Sequence, residues 1–105
     1  MPSQHFVKQH LIEKYGLSVE DVEELVESAK NSVHKGVNSL QTHIKNKHFD
    51  KIVFVSQTLK GNFMNMGLDD AASLIQHLQT AAKKKHFQEV NADYDLLIEK
   101  ISHLL

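Results

Sequence analysis

Residues 19–46 read VEDVEELVESAKNSVHKGVNSLQTHIKN, and this stretch decides the fold class. Its apolar residues recur at steps of 4, 3, 4, 4, 3 and 4, the spacing that places side chains on one face of an α-helix. These residues are Val22, Val26, Ala29, Val33, Val37, Leu40 and Ile44. Gly36 lies inside the pattern, where a glycine costs about 1 kcal/mol relative to alanine. The pattern predicts one amphipathic helix, on the order of 40 Å long at about 1.5 Å per residue.

Upstream of this stretch, the sequence predicts a short first helix. Ser3 is a suitable residue to cap its start, and Gly16 is a suitable residue to end it. Its apolar residues are Phe6, Val7, Leu11 and Tyr15. Ser18 then precedes the long helix in the position of an N-cap, with Asp21 three residues later as a weaker form of the capping box.

A third helix is predicted after a break at residues 46–48. Its apolar residues again follow helical steps, of 3, 4, 4 and 3. They are Ile52, Val55, Leu59, Phe63 and Met66. Gly67 directly follows this stripe, so we expect the third helix to end there.

Two more helices are predicted in the last third of the chain. Asp69 or Asp70 is expected to cap the fourth helix, because aspartate is a favoured N-cap residue. The fifth is expected to begin near Gln88 or Asn91 and to continue to Leu104. Amphipathic helices joined by short turns bury their stripes most simply as an antiparallel four-helix bundle. We therefore expect an all-α fold, an up-down-up-down bundle with a short additional N-terminal helix.

The composition limits the domain count and excludes several classes of function. A chain of 105 residues fits a single domain, expected to span residues 1–105. Twelve Lys and Arg against 13 Asp and Glu give a formal net charge of −1, whereas nucleic-acid-binding domains are usually plainly basic. The lysines at 83–85 are better explained as cations at the C-terminal end of a helix. With no cysteine, disulfides, thiolate zinc sites and thiol catalysis are excluded.

The hydropathy pattern bears on location. No run approaches about 18 consecutive apolar residues, and no charged start leads into an apolar segment. We therefore expect a cytoplasmic protein that does not bind membranes. With the near-neutral net charge, we also expect no binding to nucleic acid, and we expect a monomer.

The predicted third helix has an unusual solvent face. At about 100° per residue, Gln57 points roughly 160° away from the centre of the apolar stripe. Around it on that face lie Phe54, Lys60, Gly61 and Met64. A glycine that faces out of a helix lowers stability, which suggests that something approaches the backbone there. The alternative is that a helix packed between two neighbours simply has a wide apolar arc.

The same segment resembles a family signature. Residues 57–68 read QTLKGNFMNMGL, and the signature of histidine-containing phosphotransfer (HPt) domains is H-x-L-K-G-x-x-x-x-[LM]-G-[LA]. The preceding turn, KHFDKI at residues 47–52, is also similar, and the resemblance extends over about residues 40–105. HPt domains are antiparallel helical bundles that expose an active histidine in mid-helix. The resemblance thus implies the same fold and a partner in two-component signalling, namely a response-regulator receiver domain or a hybrid sensor kinase.

One departure from the signature changes the chemistry. The phosphoacceptor histidine of the family aligns with Gln57, and a carboxamide is not nucleophilic and has no ring nitrogen to form a phosphoramidate. The other positions carry over by resemblance. Lys60 matches the lysine beside the phosphorylated ring, Gly61 the glycine that leaves room for the receiver domain, and Gly67 the turn before the fourth helix.

These observations predict a phosphorelay module that docks a receiver domain but cannot accept phosphate at Gln57, and that is not an enzyme. The residues expected to contact the partner are Phe54, Gln57, Lys60, Gly61 and Met64. Two origins fit the glutamine, a natural pseudo-HPt domain or a deliberate replacement of the histidine. The alternative function is a helical interaction or regulatory protein that kept the HPt fold without a relay role.

Eight histidines invite a metal-site hypothesis, but their spacing does not favour one. No pair lies at i, i+4 on one predicted helix, and no HExxH motif is present. We therefore expect no metal and no cofactor. His77 alone is retained as an accessory residue, since it lies as far after Gly67 as Gln57 lies before it. It could hydrogen-bond near Gln57 or act as a displaced acceptor, although a half-exposed bundle histidine is the simpler explanation.

Overall fold

The computed structural model describes residues 4–102, without the side chain of Gln4, and this part of the chain is all-helical, with five helices and no strand. The helices are α1 (Gln4–Tyr15), α2 (Val19–Lys45), α3 (Phe49–Asn65), α4 (Asp69–Lys83) and α5 (Phe87–Ile101). The all-α prediction is therefore confirmed. Within the described residues, no helix combines the length and the apolar character that a membrane span requires. The predicted cap Ser3 and the predicted end at Leu104 lie outside the described residues.

Helix α2 follows its sequence pattern closely. The side chain of Ser18 caps it, since Ser18 Oγ accepts a hydrogen bond from the backbone N–H of Asp21 at 3.2 Å. Every residue of the predicted stripe is buried except Ala29, which is partly buried against the core. Gly36 is not merely tolerated in this helix, because it has a role in helix packing. A Cβ at this position would lie 2.7 Å from Cδ2 of buried Leu59, so the glycine lets α2 and α3 approach closely.

The turns between α2 and α3, α3 and α4, and α4 and α5 share one backbone geometry. In each, a residue with positive φ follows the helix, and these residues are Lys47, Gly67 and Lys85. The next N–H reaches back to a carbonyl five residues earlier, from His48 to His43, Leu68 to Phe63 and His86 to Ala81. This is the Schellman motif, which satisfies carbonyls that the helix end would otherwise leave unpaired.

Several predicted helix starts and core positions need correction. Neither Asp69 nor Asp70 caps α4; both lie in its first turn, and the N-cap is Leu68, whose side chain forms no capping bond. Helix α5 begins at Phe87, next to Gln88, the earlier of its two predicted starts, and not near Asn91, because the preceding Schellman turn fixes the point at which the chain re-enters helix. Lys83 is the last residue of α4, so only it lies in the last turn, whereas Lys84 is the C-cap and Lys85 lies beyond it.

The burial pattern also departs from the prediction in α1 and α3. In α1, Val7 and Leu11 are buried but Phe6 and Tyr15 are exposed. In α3, Val55 is only partly buried, and its neighbour Ser56 is fully buried instead. The reason is that α3 contacts α2 on one side and α4 on the other, which widens its buried arc beyond the apolar stripe.

The helices pack mainly against their neighbours in sequence. Helix α3 contacts α2 and α4, α4 contacts α5, and α1 contacts α2. The ring of Phe49, at the start of α3, meets the ring of Phe87, at the start of α5, edge to face with centroids 6.5 Å apart. The molecule measures 43 × 19 × 19 Å, so its long axis is about the length of α2. Among the residues that the structure describes, this packing leaves one side of α3 without a neighbouring helix.

Candidate functional site

The uncovered side of α3 carries the residues that the sequence singles out. The docking face, as we call it, consists of Phe54, Gln57, Lys60, Gly61 and Met64. Phe54 is 75% exposed and Met64 is 53% exposed, which is unusual for such large apolar side chains. Between them Gln57 is exposed, and nothing lies within 4 Å of where a Cβ of Gly61 would be. The two apolar side chains therefore flank a polar centre and an uncovered stretch of backbone.

Gln57 is held in place from α4 by Gln79, a residue that the sequence analysis does not single out. The amide nitrogen of Gln79 donates to the backbone carbonyl of Val53 at 3.2 Å and to Oε1 of Gln57 at 3.1 Å. A backbone carbonyl can only accept, so Gln79 must turn its nitrogen towards α3. Gln57 must then present its oxygen to Gln79, and its own NH₂ group points away from this bond.

Lys60, like Gln57, is held by a glutamine of α4. Its Nζ donates to Oε1 of Gln76 at 2.7 Å, and the amide nitrogen of Gln76 donates in turn to Oγ1 of Thr80 at 3.4 Å. The ammonium group is thereby held at the edge of the docking face rather than extended into solvent. Beside it, a groove of about 370 Å³ runs between α3 and α4, with Met64 and Asp69 among its lining residues.

The His77 side chain is exposed, and its ring contacts α5. Its Nδ1 contacts Oδ2 of Asp93 on α5 at 2.6 Å, which fits the simpler interpretation, a bundle histidine, rather than a hydrogen bond near Gln57. This hydrogen bond and the charge of Asp93 raise the pKa of the His77 ring above its usual 6.5. The register of α3 and α4 explains why Gln79, and not His77, lies beside Gln57. The observed pairs Gln57 with Gln79 and Lys60 with Gln76 are symmetric about residue 68 rather than about Gly67.

The missed glutamines leave a recognisable signal in the sequence. Gln76, which is partly buried, and Gln79, which is buried, are three residues apart on α4, so they belong to one helical edge. That edge faces α3 across the interhelical groove. Polar residues at such a boundary, opposite Gln57 and Lys60, would have been identified by a register centred one residue later.

The described residues offer limited metal-binding chemistry. In residues 4–102, no group of three His, Asp or Glu side chains is close enough together to hold a metal ion. The docking face itself contains amide groups, one ammonium group and apolar side chains. Such a set can bind a partner and donate hydrogen bonds, but it contains no nucleophile and no general base.

Comparisons with known proteins add no assignment. No protein-family model, no curated protein and no solved structure matches the chain. The geometry of the docking face and the resemblance of residues 57–68 to the HPt signature are therefore the two observations that bear on function.

Proposed function

We propose that this chain is an HPt-like phosphorelay module that docks the receiver domain of a response regulator or of a hybrid sensor kinase. It takes no phosphate at Gln57. The fold proposed for it is an antiparallel four-helix bundle of α2 to α5 with α1 as the additional N-terminal helix. The successive contacts of α2 with α3, α3 with α4 and α4 with α5 support this arrangement. So does the contact of Phe49 with Phe87, which joins the starts of two alternate helices.

The observation that carries the proposal is the uncovered backbone at Gly61 between two exposed apolar side chains. An outward-facing glycine in mid-helix costs about 0.5–1 kcal/mol relative to alanine. That cost is understandable if a partner must approach the helix backbone at this point. Phe54 and Met64 on either side provide apolar anchors of the kind that dominate protein interfaces.

Gln57 determines what happens after docking. The phosphorylated aspartate of a receiver domain transfers its phosphoryl group only to a nucleophile with an available lone pair. The amide nitrogen of glutamine has none, because its lone pair is delocalised into the carbonyl. The module therefore occupies the receiver without discharging it at this position.

Phosphotransfer to a restored histidine tests the proposal. Each receiver domain encoded in the source genome is phosphorylated with radiolabelled acetyl phosphate and mixed with the parent chain, with Gln57→His or with Gln88→His. Gln88 is exposed at the start of α5 and controls for the mere introduction of a histidine. We expect acid-labile label on Gln57→His alone. Label on the parent, or no label on Gln57→His with any receiver, contradicts the proposal.

The second candidate function is a helical interaction or regulatory protein that kept the fold without a relay role. A pocket of about 570 Å³ favours it, since the pocket is largely apolar and lies away from Gln57, between α1, α2 and the C-terminal end of α3. Leu11, Tyr15, Leu25 and Met66 line it. If Gln57→His accepts no phosphate from any receiver, this second function becomes the better explanation.

A further inference from the structure

The hydrogen-bond arrangement around Gln57 leaves two donors facing outward. Gln79 engages the oxygen of Gln57, and no described residue accepts a hydrogen bond from the Gln57 NH₂ group. Both of its hydrogens are therefore available to a ligand. The docking face thus presents two unengaged donors at the position where the resemblance places a phosphoacceptor.

Lys60 adds a positive charge to these donors. It is one helical turn from Gln57, and its bond to Gln76 uses one of the three ammonium hydrogens. From Ile52 to Asn65, Lys60 is the only charged residue of α3. The glutamines that face it from α4 are neutral, and the nearby Asp69 does not pair with it. Lys60 therefore offers an approaching anion one positive charge on this face, unpaired among the residues that the structure describes.

We infer that Gln57 and Lys60 form a noncovalent site for the aspartyl phosphate of the docked receiver domain, so that the module prefers the phosphorylated receiver. This inference rests on the proposed function. A phosphoryl group is a suitable ligand because its oxygens only accept hydrogen bonds and it carries more negative charge than the carboxylate that it replaces. The opening at Gly61 allows the acceptor loop of the receiver to approach both donors. The phosphate is held by the face and stays on the receiver.

An affinity ratio measures this preference. Each receiver domain is prepared unmodified and after activation with beryllofluoride and Mg²⁺, which form a stable analogue of aspartyl phosphate. Titration calorimetry then gives the affinity of the parent chain for both forms. We expect the activated form to bind on the order of tenfold more tightly, as charge-assisted hydrogen bonds to a phosphoryl-like group allow.

Three variants assign the preference to the outward donors. Gln57→Glu keeps an oxygen for Gln79 but replaces the outward donors with a second acceptor, and Gln57→Met removes the donors without adding charge. Both should reduce the ratio to about one, whereas Gln88→Glu, the same change of charge on α5, should leave it unchanged. Lys60→Met should lower it in part.

The outcomes separate the two proposals. If no receiver binds in either form, the docking function itself is wrong. If a receiver binds both forms equally, or if Gln57→Met keeps the preference, docking stands and the phosphate site is wrong. Loss of the preference in both Gln57 variants, with Gln88→Glu unchanged, supports the site.

Discussion

Nδ1 of His77 lies 2.6 Å from Oδ2 of Asp93, and this contact joins α4 to α5. The two partners differ in environment, since the His77 side chain is 64% exposed whereas Asp93 is buried. A buried carboxylate needs a partner, and the exposed imidazole supplies one across the helix pair. The contact therefore links the packing of the two last helices to the protonation state of one histidine.

Stability should depend on pH through His77. The hydrogen bond and charge of Asp93 raise its pKa above 6.5, with a smaller contribution from Glu89 and an opposing one from Lys84. A group whose pKa is raised by folding binds its proton more tightly in the folded state. Its stabilisation is therefore complete below the unfolded pKa of 6.5 and is lost as the pH rises through the folded value.

Urea unfolding of the parent and of His77→Gln at about pH 5.5 and about pH 8.5 checks this dependence. The difference in unfolding free energy between the two chains should be larger at the lower pH. All other groups are the same in the two chains, so their contributions cancel from the difference. A gap that stays constant or widens with pH would show that His77 and Asp93 are not coupled in the folded protein.

Replacing two helical glycines with alanine should change stability in opposite directions. Gly61→Ala meets nothing within 4 Å and should stabilise the fold by about 0.5–1 kcal/mol through helix propensity. Gly36→Ala gains the same propensity but places its Cβ 2.7 Å from buried Leu59, and overpacking costs about 1–3 kcal/mol. For Gly36→Ala we therefore expect the free energy of unfolding to fall by about 1 kcal/mol. Thermal unfolding followed by circular dichroism measures both, and equal signs would contradict the close packing of α2 on α3.

The sequence could predict those parts of the fold that local signals determine, and could not predict those that depend on turns and on packing between helices. Helix α2 was predictable because its periodicity and the Ser18 cap are local signals. The start of α4 was not, because Leu68 enters the helix without a side-chain cap and the preceding turn satisfies the backbone instead. Lysine gives no local signal for the positive φ that Lys47 and Lys85 adopt.

The same distinction applies to the candidate site, where some features were predictable from the sequence and others were not. The exposure of Phe54 and Gln57 followed from their angle on a single helix, which periodicity supplies. The contact between Gln57 and Gln79 depends on the register of two helices, which a shift of one residue in the turn alters. For that reason the sequence could not show that Gln79, and not His77, lies beside Gln57.

Gly67 should tolerate alanine less well than Gly16. Both have positive φ, which costs an L-residue about 1–2 kcal/mol, but only at Gly67 would a Cβ collide with the ring of His10, at 2.6 Å. Gly67→Ala should therefore lower the unfolding free energy by clearly more than Gly16→Ala does. Urea unfolding of the two variants side by side gives the difference. Equal losses would show that α1 does not pack against the turn between α3 and α4.

Replacing Lys85 with glycine should stabilise the protein. Lys85 has a φ of 59°, a region in which glycine carries no steric penalty. We expect Lys85→Gly to raise the unfolding free energy by about 0.5–1 kcal/mol. Lys47→Gly is the informative comparison, because Lys47 Nζ also lies 4.7 Å from the ring centroid of Phe87 and that contact would be lost. A larger gain at Lys47 than at Lys85 would contradict a stabilising role of the Lys47 contact.

The exposed apolar side chains of the docking face should contribute to the binding of a partner. If a receiver domain docks there, Phe54→Ala and Met64→Ala should each weaken its binding by about 1–3 kcal/mol, the range typical of central interface residues. Leu96→Ala is the matched control, since Leu96 is 48% exposed on α5 and loses a comparable apolar surface outside this face. Exposed substitutions of this kind change stability by no more than about 0.5 kcal/mol, so all three variants should remain folded by circular dichroism. Calorimetric titration of each variant with a receiver domain that binds the parent chain measures the change in affinity. Unchanged affinity in both α3 variants, or an equal loss with Leu96→Ala, would place the partner elsewhere on the molecule and remove the structural basis of the proposed function.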